Sequence, residues 1–68
     1  MTYDEIQQLK SGDLLNIITG IRTKRGIVSD IDDTYLYLLT SDGEHVVKTK
    51  YPIWQIQHYI QRVNIKEV

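Results

Sequence analysis

Two runs with alternating character flank Asp42-Gly43. Thr34 to Thr40 reads Thr-Tyr-Leu-Tyr-Leu-Leu-Thr, and Glu44 to Lys50 reads Glu-His-Val-Val-Lys-Thr-Lys. A period of two marks strands with one buried face. Asp-Gly between such runs is a strong hairpin signal, because a type I′ turn needs positive φ at both central residues. With Asp42 and Gly43 as the loop, Ser41 pairs with Glu44, Thr40 faces His45, Leu39 faces Val46 and Leu38 faces Val47. Further out, Tyr37 faces Lys48, Leu36 faces Thr49 and Tyr35 faces Lys50. Leu36, Leu38, Val47 and Thr49 then share the face that reads as core. Tyr35, Tyr37, Lys48 and Lys50 share the other, with Leu39 and Val46 at its turn end.

The rest of the pattern predicts one helix and three more strands. Thr2 and Glu5 have capping-box spacing, and Ile6 and Leu9 follow at i, i+3, with Gly12 as a stop. This predicts a helix over about 3–10. Asp13 to Thr19 is rich in Leu and Ile and reads as a strand. Ile21 to Arg25 reads as a basic connection. Gly26 to Asp30 reads as a second strand, with Gly26 at a bulge or a close backbone approach. Asp32-Asp33 turns the chain. Pro52 cannot donate to a ladder, so Tyr51 to Trp54 reads as a turn or a single helical turn. Gln55 to Ile60 reads as a fifth strand, which the pattern can extend to Ile65. The strands therefore span about 13–19, 26–30, 34–40, 44–50 and 55–60. Trp54 reads as core beside Ile53 and Ile56, while Gln55, Gln57, Tyr59 and Gln61 form a polar strand face. One short helix and five closely spaced strands predict a small, strongly bent antiparallel barrel, whose closure removes exposed edges.

The 68 residues make one domain, 1–68. A chain this short buries only about 60% of its unfolded surface. It has no Cys, which leaves no disulfide, thiolate metal site or thiol nucleophile. Small scaffolds without staples often rely on oligomerisation. No stretch approaches the ~20 apolar residues of a membrane span. The acidic, polar start Met1-Thr2-Tyr3-Asp4-Glu5 does not read as a secretory signal, so the expected location is cytoplasmic. The net charge of −1 argues against a dedicated non-specific DNA binder. The charge is uneven, however. The chain is mostly acidic up to His45, and beyond it Lys48, Lys50, Arg62 and Lys66 outnumber Glu67.

Gly20, Gly26 and Asp32 give a further pattern: a Gly ending the first strand, a Gly in the second, and an Asp six residues later. With the helix-then-five-strands layout, it resembles the Sm-like family, which includes the Hfq-type bacterial RNA chaperones. SH3-like and KOW-type barrels share the strand pattern and the turn before the last strand. The Sm-like resemblance implies a barrel, RNA binding, and rings joined through edge strands. Its second motif falls at Val46 to Ile53. Two departures stand out: no Asn follows Asp32, and of the Hfq-type Tyr-Lys-His only Tyr51 matches in Tyr51-Pro52-Ile53.

The Tyr35, Tyr37, Lys48, Lys50 face is the sharpest candidate site. Aromatic rings beside amines suit stacked bases and their phosphates, at about 1–3 kcal/mol per stacked base. The same pairs also suit an ordinary exposed sheet, at about 0.2–1 kcal/mol each. A protein contact, where Tyr is enriched and Lys depleted, is a third reading. Arg22, Lys24 and Arg25 beside Gly26 could grip phosphate, or form a solvated loop balanced by Asp30, Asp32 and Asp33. Those three Asp residues lack the Gly and closing Glu of a calcium loop and read as a turn, so no metal site is expected. His45 and His58 have no evident ligand set or nucleophile, and no nucleophile elbow or phosphate-binding Gly-rich loop occurs. The expectation is a non-enzyme without a cofactor. It would bind RNA or another single-stranded nucleic acid, or a protein partner, and assemble as a homo-oligomer.

Overall fold

The computed structural model describes residues 1–63. Helix α1 (Tyr3–Gln7) is followed by β1 (Leu14–Thr19), β2 (Arg22–Ile31), β3 (Tyr35–Asp42), β4 (His45–Pro52), α2 (Ile53–Ile56) and β5 (Ile60–Arg62). The strands form one antiparallel sheet in the order β4-β3-β2-β1-β5. Among the described residues the sheet is open, with β4 and β5 as its two edges. The expected barrel closure is therefore not seen.

The core lies on one face of this sheet. Leu15 and Ile17 of β1, Val28 of β2, and Leu36 and Leu38 of β3 are buried there, and Ile60 adds the one apolar residue of β5. Each such side chain contributes about 1.5–3 kcal/mol on burial, enough to dictate the alternation along a strand. The helices close the core. Ile6 and Leu9 come from α1 and the residues after it, and Ile53 and Ile56 from α2. α1 starts with the reciprocal capping box: Glu5 N–H donates to Thr2 Oγ1 at 3.2 Å, and Thr2 N–H donates to Glu5 Oε1 at 3.0 Å. The helix ends at Gln7, before the expected residue 10, yet Leu9 stays buried just past the cap.

Both hairpins differ from expectation in a way that glycine explains. β3 and β4 meet through Gly43-Glu44, with Asp42 paired to His45 and Tyr37 to Lys50. Gly43 has φ of 63° and no non-Gly residue among the described residues has positive φ, which fits a type II′ turn with Gly first and excludes type I′. The strands are thus offset by two residues from the expected register, and a two-residue slip keeps every side chain on its face. β1 and β2 meet the same way through Gly20-Ile21, with Gly20 at φ 60° and Thr19 paired to Arg22. Arg22 to Arg25 are therefore the start of β2, not a loop. Gly26 is a regular ladder residue between Leu15 and Thr40, where a Cβ would lie in ordinary contact with Leu38 and Thr40. The register shift lies between Val28 and Asp30, which leaves Ser29 as the extra residue.

The C-terminal part is also corrected. The single turn α2 is followed by a three-residue β5, so Gln55 to Tyr59 is not a strand. Ile53 and Ile56 at i, i+3 take the core side of α2, which turns Trp54 outward to 69% exposure. Pro52 is the last residue of edge strand β4, where its missing N–H costs no ladder bond. Val47 shares the core face but lies near the hairpin tip, past the core, and is 42% exposed. The extension to residues 64 and 65 falls outside the described residues.

Candidate functional site

The outer face of the sheet, opposite the core, carries the candidate residues. Leu36 and Leu38 point inward, so Tyr35 and Tyr37 point outward, and Lys48 and Lys50 join them from β4. The Tyr35 and Tyr37 rings are 6.5 Å apart between centroids and inclined by 57°. Lys50 Nζ lies 4.3 Å from the Tyr35 centroid, and Lys48 Nζ lies 5.4 Å from that of Tyr37. These are cation–π contacts, worth about 0.5–1 kcal/mol at exposed sites. They are diagonal pairs: Tyr37 itself lies opposite Lys50, and Leu39 opposite Lys48.

Asp32 anchors the aromatic pair. Its Oδ1 accepts the N–H groups of Thr34 at 2.8 Å and Tyr35 at 2.6 Å, closing the turn between β2 and β3. Its Oδ2 accepts the Tyr37 hydroxyl at 3.2 Å. The Tyr35 and Thr34 N–H groups hold the Asp32 carboxyl below its ordinary range, helped by the Tyr37 hydroxyl and the Lys50 charge. The Tyr37 phenol is raised by partial loss of solvent, by its hydrogen bond to Asp32 and by the negative charges of Asp32 and Asp30. α1 clamps the same turn, with Tyr3 Oη donating to Asp33 O at 2.8 Å and Gln7 Nε2 to Asp32 O at 3.0 Å. Both oxygens of Asp32 are thus engaged by protein donors, as a turn role requires.

The basic trio is dispersed. On β2, Arg22 and Lys24 lie opposite Thr19 and Ile17, on the core face beyond the covered core. Arg25 lies opposite Asn16, on the outer face with the Tyr–Lys cluster. All three are exposed, and no ion pair within 4.0 Å joins them to Asp30, Asp32 or Asp33 among the described residues.

Sequence reasoning missed an apolar row on the outer face. Leu14 pairs with Ile27 and Ile27 with Leu39, which lies opposite Lys48. Ile27 is 42% exposed, and Val46 near the hairpin tip 71%. The signal for this row was available in β2, where Ile27 falls out of phase with the buried Gly26 and Val28. Asp30, read from the sequence as the end of the second strand and as part of an acidic turn, was not grouped with the Tyr–Lys face. It pairs with Tyr37, so Asp30, Tyr37 and Lys50 form one row across three strands. Among the described residues no helix is long and apolar enough to cross a membrane, and no group of three or more His, Cys, Asp or Glu could hold a metal ion. No protein-family model matches this chain, and searches of curated proteins and of solved structures find no match.

Proposed function

We propose that this chain is a non-catalytic binding module that takes single-stranded RNA or a nucleotide-bearing ligand on its outer sheet face, as a Sm-like homo-oligomer. The observation that carries this reading is the double Tyr–Lys contact, with Lys50 over Tyr35 and Lys48 over Tyr37. A base arriving on Tyr37 displaces one ammonium, at a cost of about 0.5–1 kcal/mol. It gains about 1–3 kcal/mol of stacking. The displaced amine is then free to meet the phosphate of the same nucleotide. Arg25 on the same face extends the cationic surface. The open edges of β4 and β5 support assembly, since an unpaired edge is a template for another chain and head-to-tail pairing of two different edges builds rings. A salt-dependent binding titration with a single-stranded RNA tests the reading: affinity must fall as salt rises, because phosphate contacts release counterions.

A second reading has its own observation. The Leu14, Ile27, Leu39 row and the exposed Val46 give the outer face an apolar component that suits a protein partner. Under that reading Tyr35 and Tyr37 are contact anchors, and the module is a small regulator or inhibitor docking on a larger protein.

A further inference from the structure

In the row Asp30–Tyr37–Lys50 an acidic residue and a basic residue flank Tyr37 on the two neighbouring strands, and the ammonium nearest the Tyr37 ring is that of Lys48, at 5.4 Å. We infer that this row reads guanine: Asp30 accepts the neighbouring N1–H and N2–H donors of a guanine stacked on Tyr37, while its phosphate lies toward Lys48 and Lys50. The inference rests on the nucleic-acid reading above. Neighbouring strands are about 4.8 Å apart, so the carboxylate strand and the ammonium strand are separated by about 10 Å. A nucleotide laid across the row has its phosphate at one end and its Watson–Crick edge at the other.

Three observations support Asp30 as the reader. First, it is the less engaged of the two carboxylates near Tyr37. Asp32 has both oxygens bonded, whereas Asp30 accepts only the Ile31 N–H, at 2.8 Å on Oδ1, among the described residues. Its Oδ2 and a second lone pair on Oδ1 remain to accept. Second, its side chain belongs to an exposed residue, open to a ligand from solvent. Third, the acidic and basic ends of the row fix one orientation, since a phosphate at the Asp30 end meets like charge.

Base chemistry then selects. Guanine presents two adjacent donors to the two oxygens of a carboxylate. Adenine and cytosine each present one amino donor beside a ring nitrogen acceptor, which the carboxylate repels. Uracil presents one N–H between two carbonyls. An ionised Asp has no donor with which to meet those acceptors.

The test uses short fluorescein-labelled uridine oligonucleotides with one central guanine, adenine, cytosine or inosine, read by fluorescence anisotropy. The expected result is about tenfold tighter binding of the guanine oligonucleotide than of the adenine one, with inosine, which lacks the N2 amino group, in between. Asp30→Asn should abolish the preference. Asp33→Asn, an equal change of charge on the neighbouring turn, should retain it. Circular dichroism checks that both variants keep the wild-type fold. Equal binding of all four oligonucleotides, inosine as tight as guanine, or a preference that survives Asp30→Asn overturns the guanine assignment and leaves the nucleic-acid reading standing. Failure of every oligonucleotide to bind overturns that reading, and the assignment with it.

Discussion

Lys50 lies opposite Tyr37 in the β3–β4 ladder, yet its ammonium sits 4.3 Å from the centre of the Tyr35 ring. Tyr35 has Pro52 as its own cross-strand partner, which brings no charge, so the long Lys50 side chain serves the diagonal neighbour. Lys48 does the same for Tyr37. Among the described residues, no carboxylate lies within 4.0 Å of either amine, so each is poised over a ring. Replacing Lys48 or Lys50 by Met keeps the stem and removes the charge. Each change should lower the slope of log affinity against log salt by about 0.7 for single-stranded RNA. Titration at several salt concentrations checks this; unchanged slopes in both variants mean that neither amine meets a phosphate.

The Tyr37 phenol gives a prediction at high pH. Its folded value is raised above the unfolded one, so its contribution to stability is fully present below about pH 10 and is lost as pH rises through the folded value. Ultraviolet titration of the folded protein should show a phenolate component above the ordinary range. Tyr37→Phe should remove that component. Asp32→Asn, which deletes the nearest negative charge, should bring it back down. A component that persists in Tyr37→Phe belongs to another tyrosine.

Asp32 gives the opposite sign at low pH. Its folded value is depressed, so its contribution is present above about pH 3.9 and is lost as pH falls through the folded value. Glu5 is depressed as well, by the Thr2 backbone N–H and then the Thr2 hydroxyl, and contributes in the same direction. Thermal melts through the acid range should show a shallower fall in midpoint for Asp32→Asn than for wild type, and a shallower one still with Glu5→Gln added. Identical slopes in all three proteins would remove these carboxylates from the acid response.

The glycines separate into two kinds. Gly43→Ala and Gly20→Ala force a side chain into positive φ and should each cost about 1–2 kcal/mol in denaturant unfolding. Gly26 has ordinary φ, and an added Cβ would lie 3.4 Å from Leu38 Cδ1, which is normal contact. Gly26→Ala should therefore be nearly neutral, whereas Gly26→Val overpacks the site against Leu38 and Thr40 and should cost about 1–3 kcal/mol. A large loss in Gly26→Ala would mean that the packing there is tighter than described.

The faces of the β3–β4 hairpin were legible in the sequence because burial of Leu36 and Leu38 enforces a period of two. The cross-strand partners were not, because Asp42-Gly43 and Gly43-Glu44 are both acceptable two-residue loops whose registers leave every residue on the same face. Arg22 to Arg25 looked like a loop because no apolar residue marks a buried face there; this part of β2 extends beyond the core. Gly20-Ile21 was nonetheless a readable type II′ signal. Trp54 was misplaced because a four-residue helix is too short to establish a period, and only the Ile53–Ile56 spacing revealed which side faces inward. The four residues of the Tyr–Lys face could be grouped from alternation alone. The addition of Asp30 to that face could not, since it depends on the extra residue Ser29.

The outer face is proposed to bind single-stranded nucleic acid. Amide chemical-shift mapping of the isotope-labelled protein during titration with a short guanine-containing RNA tests it most directly. The expected perturbations are concentrated from Asp30 to Leu39 and from Val46 to Lys50, with α1 and Trp54 unmoved. An unchanged spectrum at saturating RNA, or shifts confined to α1, α2 and β5, would contradict it.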